Sequence, residues 1–209
     1  MRRVVLRTLL GLASAGVLLL SPGSAGSELR EIIAAQDTIT TLEAAFAQTK
    51  VLSFFDETIE SSGTIAIEKP DFYCWIYEEP ERRVFYVDGL RTGSLEPSGH
   101  REEVALDTKI GLAAIIRSVT SIITGNLGDA TEADYEVSRN ESTAGIRSYT
   151  FYPRTEELRP LFKYVTIRFD ERSKLARDLE IVEPNGDVTR MEFEDWRVNT
   201  PVDRSAYSR

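Results

Sequence analysis

The chain has little of the chemistry that metal sites and most hydrolases need, because its 209 residues include one cysteine and one histidine. Zinc sites take several Cys or His ligands, so the sequence predicts no metal site, and a single cysteine excludes an internal disulfide. We expect Cys74 to be a small buried residue and His100 to lie in an exposed loop. No nucleophile elbow or phosphate-binding glycine loop occurs. Paired carboxylates are common by chance in so acidic a chain, so the sequence predicts neither an enzyme nor a cofactor.

The chain also has no apolar run long enough to cross a membrane as a helix. The run over residues 9–20 is 12 residues long, whereas a spanning helix needs roughly 20. Three arginines precede this run and small residues follow it, which is typical of a secretory signal peptide. We predict a signal peptide over residues 1–25 and one exported domain over residues 26–209. No cysteine lies near the cleavage site after Ala25, so a lipid on the mature N-terminus is not expected.

Positive charge is scarce as well. The full chain has 25 Lys and Arg against 34 Asp and Glu, and the predicted mature chain has 22 basic residues against the same 34 acidic ones, a net charge of −12. Binding to nucleic acid and docking onto anionic lipid headgroups both depend on Lys and Arg, so the charge disfavours both. The simplest role for this charge is solubility.

What the chain does contain is a succession of short strands between Gly63 and Pro97. Residues 72–77 are almost wholly aromatic or apolar, and a second apolar run, residues 84–87, ends at Asp88-Gly89. Asp-Gly between two apolar runs is typical of a β-hairpin turn. Because residues 72–77 are apolar on both faces, we expect the core on one side and a helix, a second sheet or a ligand on the other.

The rest of the chain predicts helices before and within a series of strands. We expect a helix over residues 28–40, a strand over 42–56, a turn over 60–63 and helical structure over 102–126. Five further strands are predicted over residues 134–140, 145–152, 161–170, 174–183 and 188–198. The pattern therefore predicts one antiparallel α+β domain of nine or ten strands. So long a sheet tends to curl, and the mid-chain helices would cover its hollow face.

Tyr73, Trp75 and Tyr77 alternate along the aromatic strand and therefore share one face. Two interpretations are open. Aromatic residues at this spacing usually fill a core, and the Ile-rich helical segment would then be a permanent plug over them. Alternatively, the space between sheet and helices takes up an acyl chain, and the same segment is a displaceable lid.

Several short motifs follow one another along the chain. They are Phe46-x-Gln48, Gly63-Thr-Ile-x-Ile, Lys69-Pro70, Trp75-x-Tyr77-x-x-Pro80, Val87-Asp88-Gly89 and Asn185-Gly186 followed by Phe193-x-x-Trp196-x-x-Asn199. In order and spacing they resemble the LolA family of periplasmic carriers, which take lipoproteins from an inner-membrane transporter to the outer-membrane receptor LolB. The resemblance implies an incomplete antiparallel β-barrel, a half-barrel of about nine to eleven strands, with an N-terminal helix and lid helices over an apolar concave face.

The resemblance also implies a function and a set of working residues. We expect a soluble, monomeric periplasmic carrier that holds the acyl chains of a lipoprotein or a related lipid and passes them to an outer-membrane acceptor. Lys69 stands where the family usually has an arginine that helps to hold the lid shut, and it is assigned that locking role. The expected lipid-binding residues are Ile65, Ile67, Tyr73, Trp75, Tyr77, Phe85 and Val87, and the expected lid residues are Ile115, Ile116, Val119, Ile122 and Ile123.

Two other functions compete with carriage. A periplasmic accessory domain that senses a lipid or a protein could use the same half-barrel without moving its ligand. An esterase or glycosidase is least favoured, because the chain has no nucleophile motif. A membrane-anchored receptor of the LolB type is disfavoured because no lipidation cysteine follows the predicted signal peptide.

Overall fold

The computed structural model describes residues 24–55, 57–89, 91–96, 98, 100–104, 119–121, 123, 134–143 and 145–207. Within them a helix, α1 (Ser24–Asp37), precedes the strands of one antiparallel sheet, and a 3-10 helix (Arg204–Tyr207) follows the last strand. The strands are β1 (Thr41–Leu52), β2 (Glu57–Glu68), β3 (Phe72–Glu79), β4 (Arg83–Asp88), β5 (Arg91–Leu95), β6 (Arg101–Val104), β7 (Tyr135–Arg139), β8 (Ile146–Pro153), β9 (Tyr164–Asp170), β10 (Ala176–Val182) and β11 (Val188–Val198).

β1 lies at the centre of the sheet and joins its two halves. The strand order is β6-β5-β4-β3-β2-β1-β11-β10-β9-β8-β7, so β1 pairs with β2 on one side and with β11 on the other. Strands from the two ends of the domain are thereby neighbours, and β6 and β7 form the two edges of the sheet. The α+β class and the incomplete antiparallel barrel are confirmed, with eleven strands in the described part of the chain.

One face of the sheet, here called the inner face, carries the larger core. α1 lies on this face through Leu29 and Ile32, which are buried with apolar side chains from β1–β4 and β7–β11. The strand predicted over residues 161–170 contains β9, in which burial alternates, so that Ile167 is buried and Arg168 is exposed. Because every second residue of a strand points to the same side, a single sheet supplies a nearly continuous apolar surface.

The outer face of β3 is apolar too, but its cover differs from the sequence expectation. A smaller buried cluster there contains Ala66, Phe72, Cys74, Ile76, Val84 and Leu95. Val202, from the segment after β11, packs on this cluster, and the Arg204 guanidinium lies 4.4 Å from the centroid of the Phe72 ring. Arg204 also pairs with Glu68 at 2.9 Å and Asp88 at 3.2 Å. The C-terminal segment therefore covers part of the face for which a helix, second sheet or ligand was expected.

Several predicted boundaries were wrong. The predicted turn over residues 60–63 lies inside β2, because pairing with β1 and β3 on both sides overrides the turn preference of Ser-Ser-Gly. The predicted helical segment over residues 102–126 begins instead as strand β6. Residues 119–121 and 123 are helical, and the rest of that segment lies outside the described residues. α1 ends at Asp37, earlier than expected, and of the predicted signal peptide only Ser24 and Ala25, which begin α1, are described.

The burial of Cys74 gives a testable prediction. Its side chain is fully buried on the outer face of β3, and burial raises the pKa of the thiol to about 12. Because the thiolate is the reactive form, iodoacetamide at pH 8 should alkylate the native protein at least about a hundredfold more slowly than the urea-unfolded chain. Equal rates in the two states, followed by mass spectrometry, would contradict the burial of this residue.

Candidate functional site

The seven residues predicted to bind lipid all lie on the inner face. In the cross-strand register Ile65 faces Trp75 and Trp75 faces Phe85, while Ile67 faces Tyr73 and Tyr73 faces Val87. Tyr77 follows two residues after Trp75 and so points to the same side. All seven belong to the larger core cluster or pack against it. The structure therefore brings this set together, and its role in binding lipid stays a prediction.

An aromatic cluster crosses from β3 to the centre of the sheet. The ring centroids of Phe46 and Trp75 are 5.5 Å apart, those of Phe46 and Tyr77 5.2 Å, and those of Tyr77 and Phe85 5.8 Å. Phe193 of β11 continues the series at 6.4 Å from Trp75. Tilted and edge-to-face contacts of this kind stabilise the fold by more than the burial of the rings' apolar area alone would. Phe46 and Phe193 were not among the predicted site residues, although both belong to the larger core on the inner face.

The described part of the lid segment lies against this cluster. Val119 and Ile123 are buried at 2% and 1% exposure and belong to the larger core. The indole Nε1–H of Trp75 donates a buried hydrogen bond of 3.2 Å to Thr120 Oγ1. This bond ties the described part of the segment to β3 within apolar surroundings. Ile115, Ile116 and Ile122 lie outside the described residues.

A cavity of about 200 Å³ lies between the lid segment and the sheet. Its lining residues come from several elements: Gln48, Lys50, Trp75, Tyr77, Val119, Leu161, Ile181, Glu183, Thr189 and Met191. Of the seven predicted lipid-binding residues, only Trp75 and Tyr77 line it. The centre of the cavity is therefore closer to β1, β10 and β11 than the sequence indicated, because the pairing of β1 with β11 brings residues from opposite ends of the domain to one place.

One end of the cavity is polar, and we call it the mouth; its residues are Gln48, Lys50, Glu183 and Thr189. Lys50 Nζ pairs with Glu183 Oε1 at 2.6 Å, and both side chains are about a quarter exposed, so this end meets solvent. The Tyr77 hydroxyl donates to Gln48 Oε1 at 3.0 Å. Burial raises the pKa of Tyr77 to about 12, which keeps the phenol protonated and able to donate at neutral pH. The cavity thus has an apolar wall and a hydrogen-bonding entrance.

Lys69 is held at the end of α1. Its Nζ donates to the backbone oxygen of Gln36 at 2.8 Å, and the Gln36 side chain in turn donates to the Lys174 backbone oxygen at 2.5 Å. Burial lowers the pKa of Lys69, although the carboxylate of Asp37 opposes that shift. A cation at the last carbonyls of a helix is favourable because those oxygens have no partner within the helix. Lys69 therefore anchors α1, and its predicted lock on the lid stays a prediction.

The described residues offer no other chemistry that would suggest a reaction. Among them, no group of three or more His, Cys, Asp or Glu side chains is placed to hold a metal ion. The helices in the same part of the chain are all too short or too polar to cross a membrane. What remains is a covered apolar cavity with a polar entrance.

Comparisons with known proteins agree with this geometry. The chain is 21% identical over 198 residues to an outer-membrane lipoprotein carrier protein of Azotobacter vinelandii, covering 94% of this chain and 90% of the relative. It is 19% identical over 168 residues to the protein of that name from Pseudomonas fluorescens, covering 80% and 76%. Among solved structures, a DUF1329 family protein from Desulfovibrio piger shares the fold with a TM-score of 0.51 at 12% identity, covering 90% of this chain and 97% of the neighbour. The family model for the outer membrane lipoprotein carrier protein LolA matches residues 37–209, so the chain belongs to the LolA family.

Proposed function

We propose that this protein takes up the acyl chains of a lipoprotein, or of a related acylated lipid, in the inner-face cavity and carries them across the periplasm. The observation that supports this most directly is the cavity itself, which has an apolar wall at Trp75, Ile181 and Met191 and is covered by Val119. Apolar pockets with a few placed polar groups are the usual form of ligand sites. The name of the matched family points to the same class of cargo and to no reaction.

The energetics make such a carrier necessary for any acylated cargo. Exposing an acyl chain of about sixteen carbons to water costs on the order of 12 kcal/mol, at about 0.8 kcal/mol per methylene. A hollow that replaces water by apolar side chains removes most of this cost. Transfer to an acceptor then requires only a more favourable apolar site, with no covalent chemistry. We propose an inner-membrane transporter as donor and an outer-membrane protein as acceptor.

We propose that the cavity, with Val119 over it, represents the closed state of this carrier. Its volume of about 200 Å³ is smaller than the roughly 300–1,000 Å³ of ordinary ligand pockets, so a full acyl chain fits only if the lid segment moves. Val119 and Ile123 leave the hollow in this movement, and the bond between Trp75 and Thr120 breaks. We propose the same lid role for Ile115, Ile116 and Ile122, which belong to the same Ile-rich segment.

Filling the cavity should abolish cargo binding. Replacing Ile181 by Trp places a larger, mostly apolar side chain in the hollow. Because the cavity has room for part of the added volume, the fold should persist at a cost of about 1–3 kcal/mol. Ile181→Val, which keeps the cavity open, is the matched control. Protein purified from membranes under mild conditions and analysed by native mass spectrometry should retain an acylated species in the parent chain and in Ile181→Val, but not in Ile181→Trp.

The alternative outcomes are distinct. If the parent chain remains bare after incubation with lipoproteins and phospholipids, carriage is wrong, and a lipid- or protein-sensing accessory domain becomes the better function. If Ile181→Trp retains the same acylated species as the parent, the cargo lies elsewhere on the molecule. Circular dichroism of each variant shows whether the fold has been kept.

A further inference from the structure

Two adjacent aromatic side chains project into solvent from the turn that joins β1 to β2. Phe54 is 89% exposed and Phe55 is 71% exposed, while the other phenylalanines for which burial is described lie in or against the core. Their ring centroids are 5.3 Å apart in an edge-to-face arrangement, so they form one apolar tip. Single exposed apolar residues are common, but a contiguous exposed pair marks a contact surface. Nothing in the binding of cargo within the cavity accounts for this tip.

The tip lies beside the mouth of the cavity. Lys50 of β1 and Glu183, just after β10, line the mouth, and Ser53 at the base of the tip contacts the turn between β10 and β11. Ile59 of β2 pairs with Lys50, so this partly exposed apolar side chain is on the mouth side of the same hairpin. The aromatic tip is therefore at the end of the molecule where the cavity meets solvent.

Hydrogen bonds hold the base of the tip in place. The Ser53 backbone N–H donates to Asp187 Oδ1 at 2.9 Å, and the Ser53 hydroxyl lies 2.9 Å from the Asn185 backbone oxygen. The Asn185 side chain donates to the other carboxylate oxygen of Asp187 at 3.0 Å. These donors hold the pKa of Asp187 below its usual value, so the carboxylate is charged and bonded at neutral pH. The two rings are consequently presented from an ordered base.

We propose that Phe54 and Phe55 insert into the interfacial region of a neutral, zwitterionic lipid bilayer and bring the mouth of the cavity to the lipid surface. This step rests on the proposed function, since it gives acyl cargo a short path between bilayer and cavity. A phenylalanine buries about 150–250 Å² at most, so the two rings offer about 300–500 Å². A stable protein interface buries about 1,200–2,000 Å². A narrow protruding tip is too small for such an interface but suits shallow, reversible insertion into lipid.

The charges around the tip determine which kind of bilayer it can approach. Glu57 and Glu60 follow the tip on β2 and are exposed, and the nearby Lys50 is already paired with Glu183. The predicted mature chain carries a net charge of −12. A surface of anionic headgroups therefore repels this end of the molecule, whereas zwitterionic headgroups do not. Contact should weaken as anionic lipid is added and recover partly at high salt, because salt screens the repulsion.

The test uses the whole mature protein and vesicles of phosphatidylcholine whose acyl chains are brominated, since bromine quenches only an indole that comes into contact with those acyl chains. Phe54→Trp and Phe55→Trp place an indole at the tip, and Tyr152→Trp places one at another exposed aromatic site, on β8. We expect quenching in both tip variants, little in Tyr152→Trp, and less quenching in the tip variants when phosphatidylglycerol is mixed in. Replacing both rings by serine should weaken sedimentation with unbrominated vesicles at least about tenfold per ring.

The native indoles separate this proposal from carriage. Trp75 lines the cavity, so quenching of the parent chain reports lipid taken up inside, whereas the added signal of the tip variants reports contact at the surface. Quenching of the parent without added quenching at the tip would overturn the tip proposal and leave carriage intact. Equal quenching in Tyr152→Trp would overturn it as well, because the protein would then contact the bilayer without preference for the tip. Stronger binding to anionic vesicles would also overturn it, because basic residues would then make the contact.

Discussion

Replacing Gly63 by alanine should lower the free energy of unfolding by roughly 3–5 kcal/mol, which is a large share of the stability of a typical domain. A Cβ atom at this position would lie 1.8 Å from the backbone oxygen of Ile76 and 3.0 Å from Cζ of Phe46. The oxygen belongs to β3, and moving it would disturb the pairing of β2 with β3. Thermal unfolding followed by circular dichroism should show a midpoint lower by roughly 10 °C or more.

A second glycine provides the control. Gly145 has a φ of +79°, and no atom lies within 4 Å of the place where its Cβ would be. Gly145→Ala should therefore lower the free energy of unfolding by only roughly 1–2 kcal/mol, which is the cost of placing alanine in the left-handed backbone region. A Gly63→Ala protein as stable as Gly145→Ala would show that β2 and β3 do not approach each other as closely as described.

Gly63 also links the fold to the cavity. It lies between Phe46 on β1 and Tyr77 on β3, and the absence of a side chain lets those two rings meet at 5.2 Å. Tyr77 in turn reaches Gln48 at the mouth. The sequence placed Gly63 in a turn because Ser-Ser-Gly is turn-like, whereas glycine inside a strand also marks the close approach of another backbone.

Local patterns predicted most of the sheet. β3 and β4 follow from apolar runs and the Asp88-Gly89 turn, and alternation sorted Trp75 and Cys74 correctly onto opposite faces. These features depend on neighbours within about ten residues, where side-chain period and turn chemistry are informative. The residues that share the inner face were therefore predicted correctly, and the role of that face in binding lipid stays a prediction.

The mouth of the cavity could not be predicted in the same way. Lys50 and Glu183 are far apart in the sequence, and they meet only because β1 pairs with β11 and β11 pairs with β10. Neither residue carries a local signal, because single charged residues near strand ends are common. The C-terminal cover over Phe72 was missed for the same reason, since Arg204 meets Glu68 and Asp88 only through the tertiary fold.

Replacing Ile123 by alanine should decide whether the Ile-rich segment is a lid or a plug. Ile123 is 1% exposed, and removing such a side chain costs about 2–5 kcal/mol. If the segment is a lid, the substitution destabilises the closed lid relative to the open lid and leaves the stability of the sheet unchanged. The open state then rises at least about 30-fold relative to the closed state. Cargo competes with the lid for the hollow, so a fluorescent fatty-acid probe should bind more tightly, while the global unfolding midpoint changes little. Hydrogen exchange at residues 119–121 should accelerate by a similar factor.

Ile167→Ala is the matched control, because it makes the same deletion in β9 at a fully buried site away from the cavity lining. It should lower the unfolding midpoint and leave probe affinity unchanged, since it lowers the free energy of unfolding of the whole domain. If Ile123→Ala behaves like Ile167→Ala in both measurements, the segment is a permanent part of the core. Tighter probe binding with an unchanged midpoint requires a segment that leaves the hollow while the sheet stays folded, which is the property that an acyl-chain carrier needs and a plugged core lacks.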